Sequence, residues 1–148
     1  MKNEMDLSFT AKIENESFAR TCVASFLTPL NPCIDDVVEI KTIIGEAVSN
    51  AIIHGYNNDG VSKVLLSVMI ENQQTIKMIV QDFGKGIKNI EEAKKPMFTS
   101  KKELEHAGMG LTIIEALSDR LEIISTLDLG TKLIMVKSLQ QYDETKHD

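Results

Sequence analysis

The stretch "KVLLSVMIENQQTIKMIVQDFGKGI", Lys63 to Ile87, decides how the chain folds. Its two halves, "KVLLSVMIE" and "TIKMIVQD", are rich in β-branched residues with a partial period of two, and "NQQ" separates them. This pattern predicts an antiparallel hairpin with one face buried. The second strand runs out at Asp82 into a loop carrying Gly84 and Gly86. Upstream, "NNDG" is a turn signal. Before it, "VVEIKTIIGEAVSNAIIH" predicts a helix that begins near Asp35-Asp36 and stops at Gly55. Its buried stripe is Ile40, Ile44, Ala47, Val48, Ala51 and Ile52. An earlier helix is expected over "NESFARTCVASFLTPL", with Asn15 as N-cap and Pro32 just past its end. Phe18, Cys22, Val23, Phe26, Leu27 and Leu30 form its apolar face. "MDLSFTAK" alternates weakly and reads as an edge strand.

Downstream, "IEEAKK" predicts a short helical piece, and Pro96 to Ala107 is a polar segment. "MGLTIIEALSD" predicts a helix opening at a glycine pair. "RLEIIST" and "TKLIMVKSL" predict the last two strands, turned at "LDLG". This order implies a two-layer α/β sandwich, with helices covering one face of a mixed, mostly antiparallel sheet. No linker or repeat divides the chain, so residues 1–139 are expected to form one domain and 140–148 a polar, frayed tail.

The 148-residue chain is 43% hydrophobic and 26% charged, which is the composition of a soluble globular protein. Its net charge of −6 argues against direct nucleic-acid binding and leaves room for a basic protein partner. "MKNEMDLSFT" has no apolar signal region, and no apolar run reaches the ~20 residues of a membrane span. Cys22 and Cys33 form no metal-binding pattern and read as reduced thiols. A cytoplasmic protein is expected.

Three clusters could carry chemistry. Asp82-Phe83-Gly84 matches the metal-binding tripeptide of eukaryotic-type protein kinases. However, the chain has no Val-Ala-Ile-Lys strand and no His-Arg-Asp loop, and it is too short for that fold. Gly108-Met109-Gly110, ahead of an apolar helix, suits a phosphate at a helix N-terminus, with Lys101 and Lys102 close by; an ordinary loop-to-helix turn accounts for it too. Neither a Walker loop nor a dinucleotide-binding glycine fingerprint is present. Glu46 and Asn50, at i and i+4, share a helix face. A carboxylate there can take a proton and an amide oxygen can ligate magnesium, although by spacing alone a polar helix face is the favoured reading. His54, near the helix end, complements the dipole.

"EAVSNAIIHGY", "DFGKG" and "GMGLTIIE", in this order and at these intervals, resemble the three nucleotide-binding boxes of the GHKL (Bergerat-type) ATPase superfamily. Within it, "NESFAR", "FTSKKELEHAGMGLTIIE" and the starting "MKNEM" resemble the small bacterial serine-protein kinases that double as anti-sigma factors, over Met1 to about Leu139. The resemblance implies ATP or ADP with Mg2+ bound between helices and sheet. It implies Glu46 as general base, Asn50 as magnesium ligand, and Asp82 as acceptor for the adenine amino group. Gly84, Gly86 and Ile87 would pass the base, and Thr131 would stand beside it. Thr99, Ser100, Lys101 and His106 would belong to the lid, and Gly108, Met109 and Gly110 would wrap the phosphates. Arg20, about 200° from Phe18 on the helical wheel, would lie on the protein-binding face.

The family's implied partners are a sporulation sigma factor, an antagonist protein phosphorylated on serine, and a second copy in a homodimer. Two departures stand out. His106 replaces a lid arginine ("LEHAGMG" against "LERSGMG"), which bears on transfer rate more than on nucleotide binding. Gly45 stands where relatives often carry serine, at a helix cost of ~1 kcal/mol against alanine. The alternatives are a nucleotide-dependent sigma-sequestering module with little transfer, the general-stress member of the same family, and a histidine-kinase catalytic domain. The last would need a His-bearing hairpin that does not precede the domain.

Overall fold

The computed structural model describes residues 2–94 and 102–140, with side chains of 102–109 not among the described atoms. The expected Thr99, Ser100 and Lys101, the side chains of His106 and Met109, and the tail from 141 onward therefore lie outside the described residues. The elements are β1 Asn3–Thr10, α1 Glu14–Phe26, α2 Ile34–Asn50, β2 Lys63–Glu71, β3 Thr75–Asp82, α3 Ile90–Ala93, α4 Lys102–Leu117, β4 Arg120–Thr126 and β5 Gly130–Ser138.

The sheet runs β1-β2-β3-β5-β4, and every ladder is antiparallel, so the mixed component expected from sequence is corrected. The hairpin read from Lys63 to Asp82 forms with those bounds, and Asn72 and Gln73 take left-handed conformations in its turn. One sheet face carries Val64, Leu66, Val68, Ile76, Met78, Val80, Leu133 and Met135, all buried under the helices. Helix α2 lies between α1 and α4 and supplies the expected stripe, with Ile43 added. Each such aliphatic side chain contributes roughly 1.5–3 kcal/mol of burial.

Three local expectations change. Asn15 does not cap α1; its amide donates to the Thr10 carbonyl at 2.8 Å, tying the helix start to the end of β1. Phe18 is 51% exposed, because the buried face of α1 is Ala19 and Val23, continued by Leu27. The wheel argument for Arg20 therefore loses its reference point. Finally, α4 begins at Lys102 and runs unbroken through Gly108 and Gly110, where a helix start at the glycine pair was expected. Strong helix formers at Glu103, Leu104, Glu105 and Ala107 outweigh the two glycines, at ~1 kcal/mol each. The free N–H groups of this helix thus precede the glycines, whose own N–H groups are interior.

Two contacts lock the helix layer to the sheet. Lys137, 7% exposed on β5, places Nζ 2.6 Å from Glu39 of α2 and donates to the Leu117 carbonyl at the end of α4, 2.9 Å away. Asp36, 1% exposed in the first turn of α2, accepts the Gln140 N–H at 2.7 Å.

Candidate functional site

Helix α2 presents Glu46 and Asn50 on the wall of a cleft of about 660 Å³. The cleft is also lined by Glu16 and Arg20 of α1, Gly45, His54, and Gly110 of α4. A Cβ on Gly110 would come within 3.3 Å of Glu46 Oε2, so α4 passes close to the carboxylate at this glycine. The expected base, the expected metal ligand and part of the second glycine pair are thus brought together, with Arg20 on the same cleft.

The last turn of this helix is widened. Residues Ala51–Gly55 form a π-turn, closed by Tyr56 N–H to the Ala51 carbonyl at 3.0 Å. Such turns are frequent at functional sites. His54 sits in it with its Nε2 buried and unpartnered among the described residues. Burial, and secondarily the charge of Lys85, hold its pKa below the usual histidine value.

Asp82 forms a second group beneath Gly55. It ends β3 opposite Thr131 and is 4% exposed. Its Oδ1 accepts the Gly84 N–H at 2.9 Å, and the Thr131 backbone also donates to it. Burial raises its pKa, and these two hydrogen bonds pull the other way. A carboxylate kept nearly dry with two donors is a costly arrangement, and costly buried acids cluster at functional sites. Gly84 earns its place by close approach: a Cβ there would overlap the Gly55 carbonyl oxygen, whose neighbour contact is the Lys85 N–H at 2.9 Å. Gly86 has φ +73, and a Cβ there would strike the Thr126 carbonyl. Both glycines therefore pack the loop against protein backbone.

Ile87 and Thr131 are brought together by Ser125, which sequence reading missed. Its Oγ accepts the Ile87 N–H at 2.7 Å and lies 2.8 Å from Thr131 Oγ1. Tyr56 was quoted within a motif but given no role. Its hydroxyl accepts the Phe83 N–H and donates to the Lys63 carbonyl, each at 2.7 Å, holding the end of β3 to the start of β2. No local pattern announces either residue, since each acts on partners that only the sheet order makes neighbours.

Among the described residues no group of three His, Cys, Asp or Glu could hold a metal unaided. No described helix is long and apolar enough to cross a membrane.

Residues 9–137 match the family model of the histidine kinase-like ATPase domain. The chain is 50% identical to the anti-sigma F factor of Anoxybacillus flavithermus over 94% of both chains. It is 49% identical to that of Oceanobacillus iheyensis over 95% of this chain and 96% of the other. Among solved structures, it superposes on the RsbU and RsbW domain protein of Mycobacterium tuberculosis with a TM-score of 0.70 at 19% identity. That match covers 95% of this chain and 33% of the other. A histidine kinase domain of Erythrobacter litoralis gives 0.53 at 18% identity, covering 70% of this chain and 45% of that one. At these identities the structural matches speak to the fold alone.

Proposed function

The chain belongs to the anti-sigma F factors within the histidine kinase-like ATPase family, and from that membership we propose that it binds a sigma factor of the sporulation F type, keeping it from RNA polymerase, and uses Mg-ATP to phosphorylate a serine of an antagonist protein. An anti-sigma factor with a nucleotide-binding, kinase-type domain is the broader statement that the relatives and the fold carry. The observation that supports the finer reading is the cleft itself. It sets Glu46 and Asn50 one turn apart against α4, with Arg20 on the same wall.

In this reading Glu46 accepts the proton of the antagonist's serine hydroxyl. The serine Oγ–P bond forms as the bond between the γ-phosphorus and its bridging oxygen breaks, and ADP leaves. Catalysis of this kind rests on positioning and charge stabilisation. Asp82 accepts the adenine amino group, and Gly84, Gly86, Ile87 and Thr131 shape the base pocket. A magnesium ion would be held by the Asn50 amide oxygen together with nucleotide phosphates, an all-oxygen donor set that suits it, and would supply neutralisation of phosphate charge. Thr99, Ser100, Lys101 and His106 belong to the lid. For Gly108, Met109 and Gly110 to wrap phosphates, the first turns of α4 must open, and glycine is where a helix opens at least cost. The active form is a cytoplasmic homodimer of one domain per chain, residues 1–139 followed by a polar tail.

Incubation with the antagonist and γ-labelled ATP tests the reading. Label should appear on the antagonist with wild type and vanish with Glu46→Ala, while sigma binding survives. A second reading, sequestration with little transfer, is favoured by His106 in place of a lid arginine. It wins if wild type and Glu46→Ala are equally inactive in transfer and both hold sigma.

A further inference from the structure

The cleft contains a feature that the nucleotide chemistry does not use. Arg20 Nε lies 2.8 Å from Glu16 Oε1, and the second carboxylate oxygen is 3.4 Å from the guanidinium terminus. The pair sits at i and i+4 on α1, with side chains 36% and 22% exposed. It is laid against α2 at Gly45, which is buried. A Cβ at position 45 would stand 2.5 Å from Glu16 Oε1 and 3.1 Å from Arg20 Cδ. Only glycine leaves Glu16 room to lie over α2 in this pose. One turn earlier on α2, Lys41 lines the same cleft.

We propose that Glu16 is an internal competitor for Arg20, that Gly45 is the residue that makes the competition possible, and that the partner surface displacing Glu16 is a protein segment bearing an aspartate or glutamate side chain. The inference rests on Arg20 belonging to the protein-binding face, as the family resemblance implies. A carboxylate already seated on the guanidinium imitates the incoming one. Partner binding then exchanges one ion pair for another and keeps only the difference. With Glu16 turned away, Arg20 and Lys41 set two cations against the one remaining carboxylate of the cleft wall, Glu46, on a chain whose net charge is −6. That local excess of positive charge favours an acidic segment. Position 45 becomes a tuning site: any side chain there pushes the flexible end of Glu16 aside, and the Arg20 stem gives by only a few tenths of an ångström, because moving these side chains costs less than parting two packed helices.

The test uses the full chain and its purified cognate sigma factor, with affinities measured by calorimetry at fixed salt. Gly45→Ala keeps every charge and improves helix propensity, so it should fold. It should tighten binding about two- to fivefold, the range of a partly exposed i,i+4 ion pair. Glu16→Gln should tighten binding by a similar factor, and the two changes together should add nothing further. In an Arg20→Ala background neither should tighten binding. If Arg20→Ala weakens binding but Gly45→Ala and Glu16→Gln leave it unchanged or weaker, the competition is overturned while the partner-facing role of Arg20 stands. Should Arg20→Ala leave binding unchanged, that role itself fails. Tightening by Glu16→Gln that persists without Arg20 would show a general charge effect and overturn the proposal.

Discussion

Replacing Gly84 by alanine separates two reasons for a glycine that the sequence cannot distinguish. The resemblance assigns Gly84 to the passage of a nucleotide base. In the folded chain a Cβ at this position overlaps the Gly55 carbonyl oxygen, so the loop cannot close as it does. The neighbouring Lys85 N–H to Gly55 O bond, 2.9 Å long, would be strained or lost with it. Overpacking of this sort costs about 1–3 kcal/mol, and the hydrogen bond adds about 1. A total of about 2–4 kcal/mol corresponds to a fall in Tm of about 4–16 °C for a chain of this size. Because Asp82 is held through the Gly84 N–H, ATP affinity should fall in the same variant. Thermal unfolding followed by circular dichroism without nucleotide is the deciding assay, with ATP binding measured in parallel. A variant that melts within a degree of wild type yet no longer binds ATP would refute the backbone-packing account and leave ligand approach as the sole reason.

The remaining predictions concern charge. Burial raises the Asp82 pKa, so the folded state binds that proton more tightly than the unfolded one. Its charge therefore opposes folding at neutral pH, and the opposition is relieved as pH falls through the folded value toward 3.8. Asp82→Asn should accordingly raise Tm at pH 7, while ATP binds about 10- to 100-fold more weakly through loss of a charged hydrogen bond. An unchanged ATP affinity with altered magnesium dependence would reverse the assignment. His54 acts in the opposite sense. Its lowered pKa makes stability full above 6.5 and declining as pH falls through 6.5 toward the folded value, and His54→Gln should flatten that part of a urea-stability profile. Lys137→Met should cost about 1–3 kcal/mol in urea unfolding by releasing the Leu117 carbonyl and Glu39. Faster amide exchange in the last turn of α4 would accompany it.

The sheet was largely legible because its strands advertise themselves. β2, β3 and β4 match the sequence reading residue for residue, since β-branched runs bounded by Asn, Asp and Gly leave little choice. Strand order was not legible: β3 and β5 are neighbours through eight paired positions, yet α3, α4 and β4 separate them in the chain. The apolar face of α1 holds at Val23 and Leu27, with Phe26 and Leu30 packed against the core, but Phe18 looks like core by residue type while small Ala19 is what fits against the layer below. At α4 the glycines drew the helix start too far along, where summed propensity of the preceding turn carried more weight. Of the candidate site, Glu46, Asn50 and Asp82 were named through the resemblance of their motifs; the folded chain sets Glu46 and Asn50 on one cleft and buries Asp82 apart from them. Ser125, Tyr56 and the Glu16–Gly45 contact were not so named, because their meaning lies in partners distant in sequence.

The hydrogen bond from Gln140 to Asp36 has a practical corollary. It pins the last described residue to the first turn of α2, while Asn50 stands at that helix's other end. At 1.5 Å per residue the two are about 21 Å apart along the axis. A fluorescent reporter or capture tag joined directly after Gln140 would therefore start well away from Asn50, at a point coupled to the helix that carries Glu46. Substituting Asp36 by Asn keeps an acceptor for that tether, whereas Ala removes it and leaves the label held only through Leu139 and its bonds to Gln74. Anisotropy of such a label would then report on the rigidity of α2 without a probe inside the site.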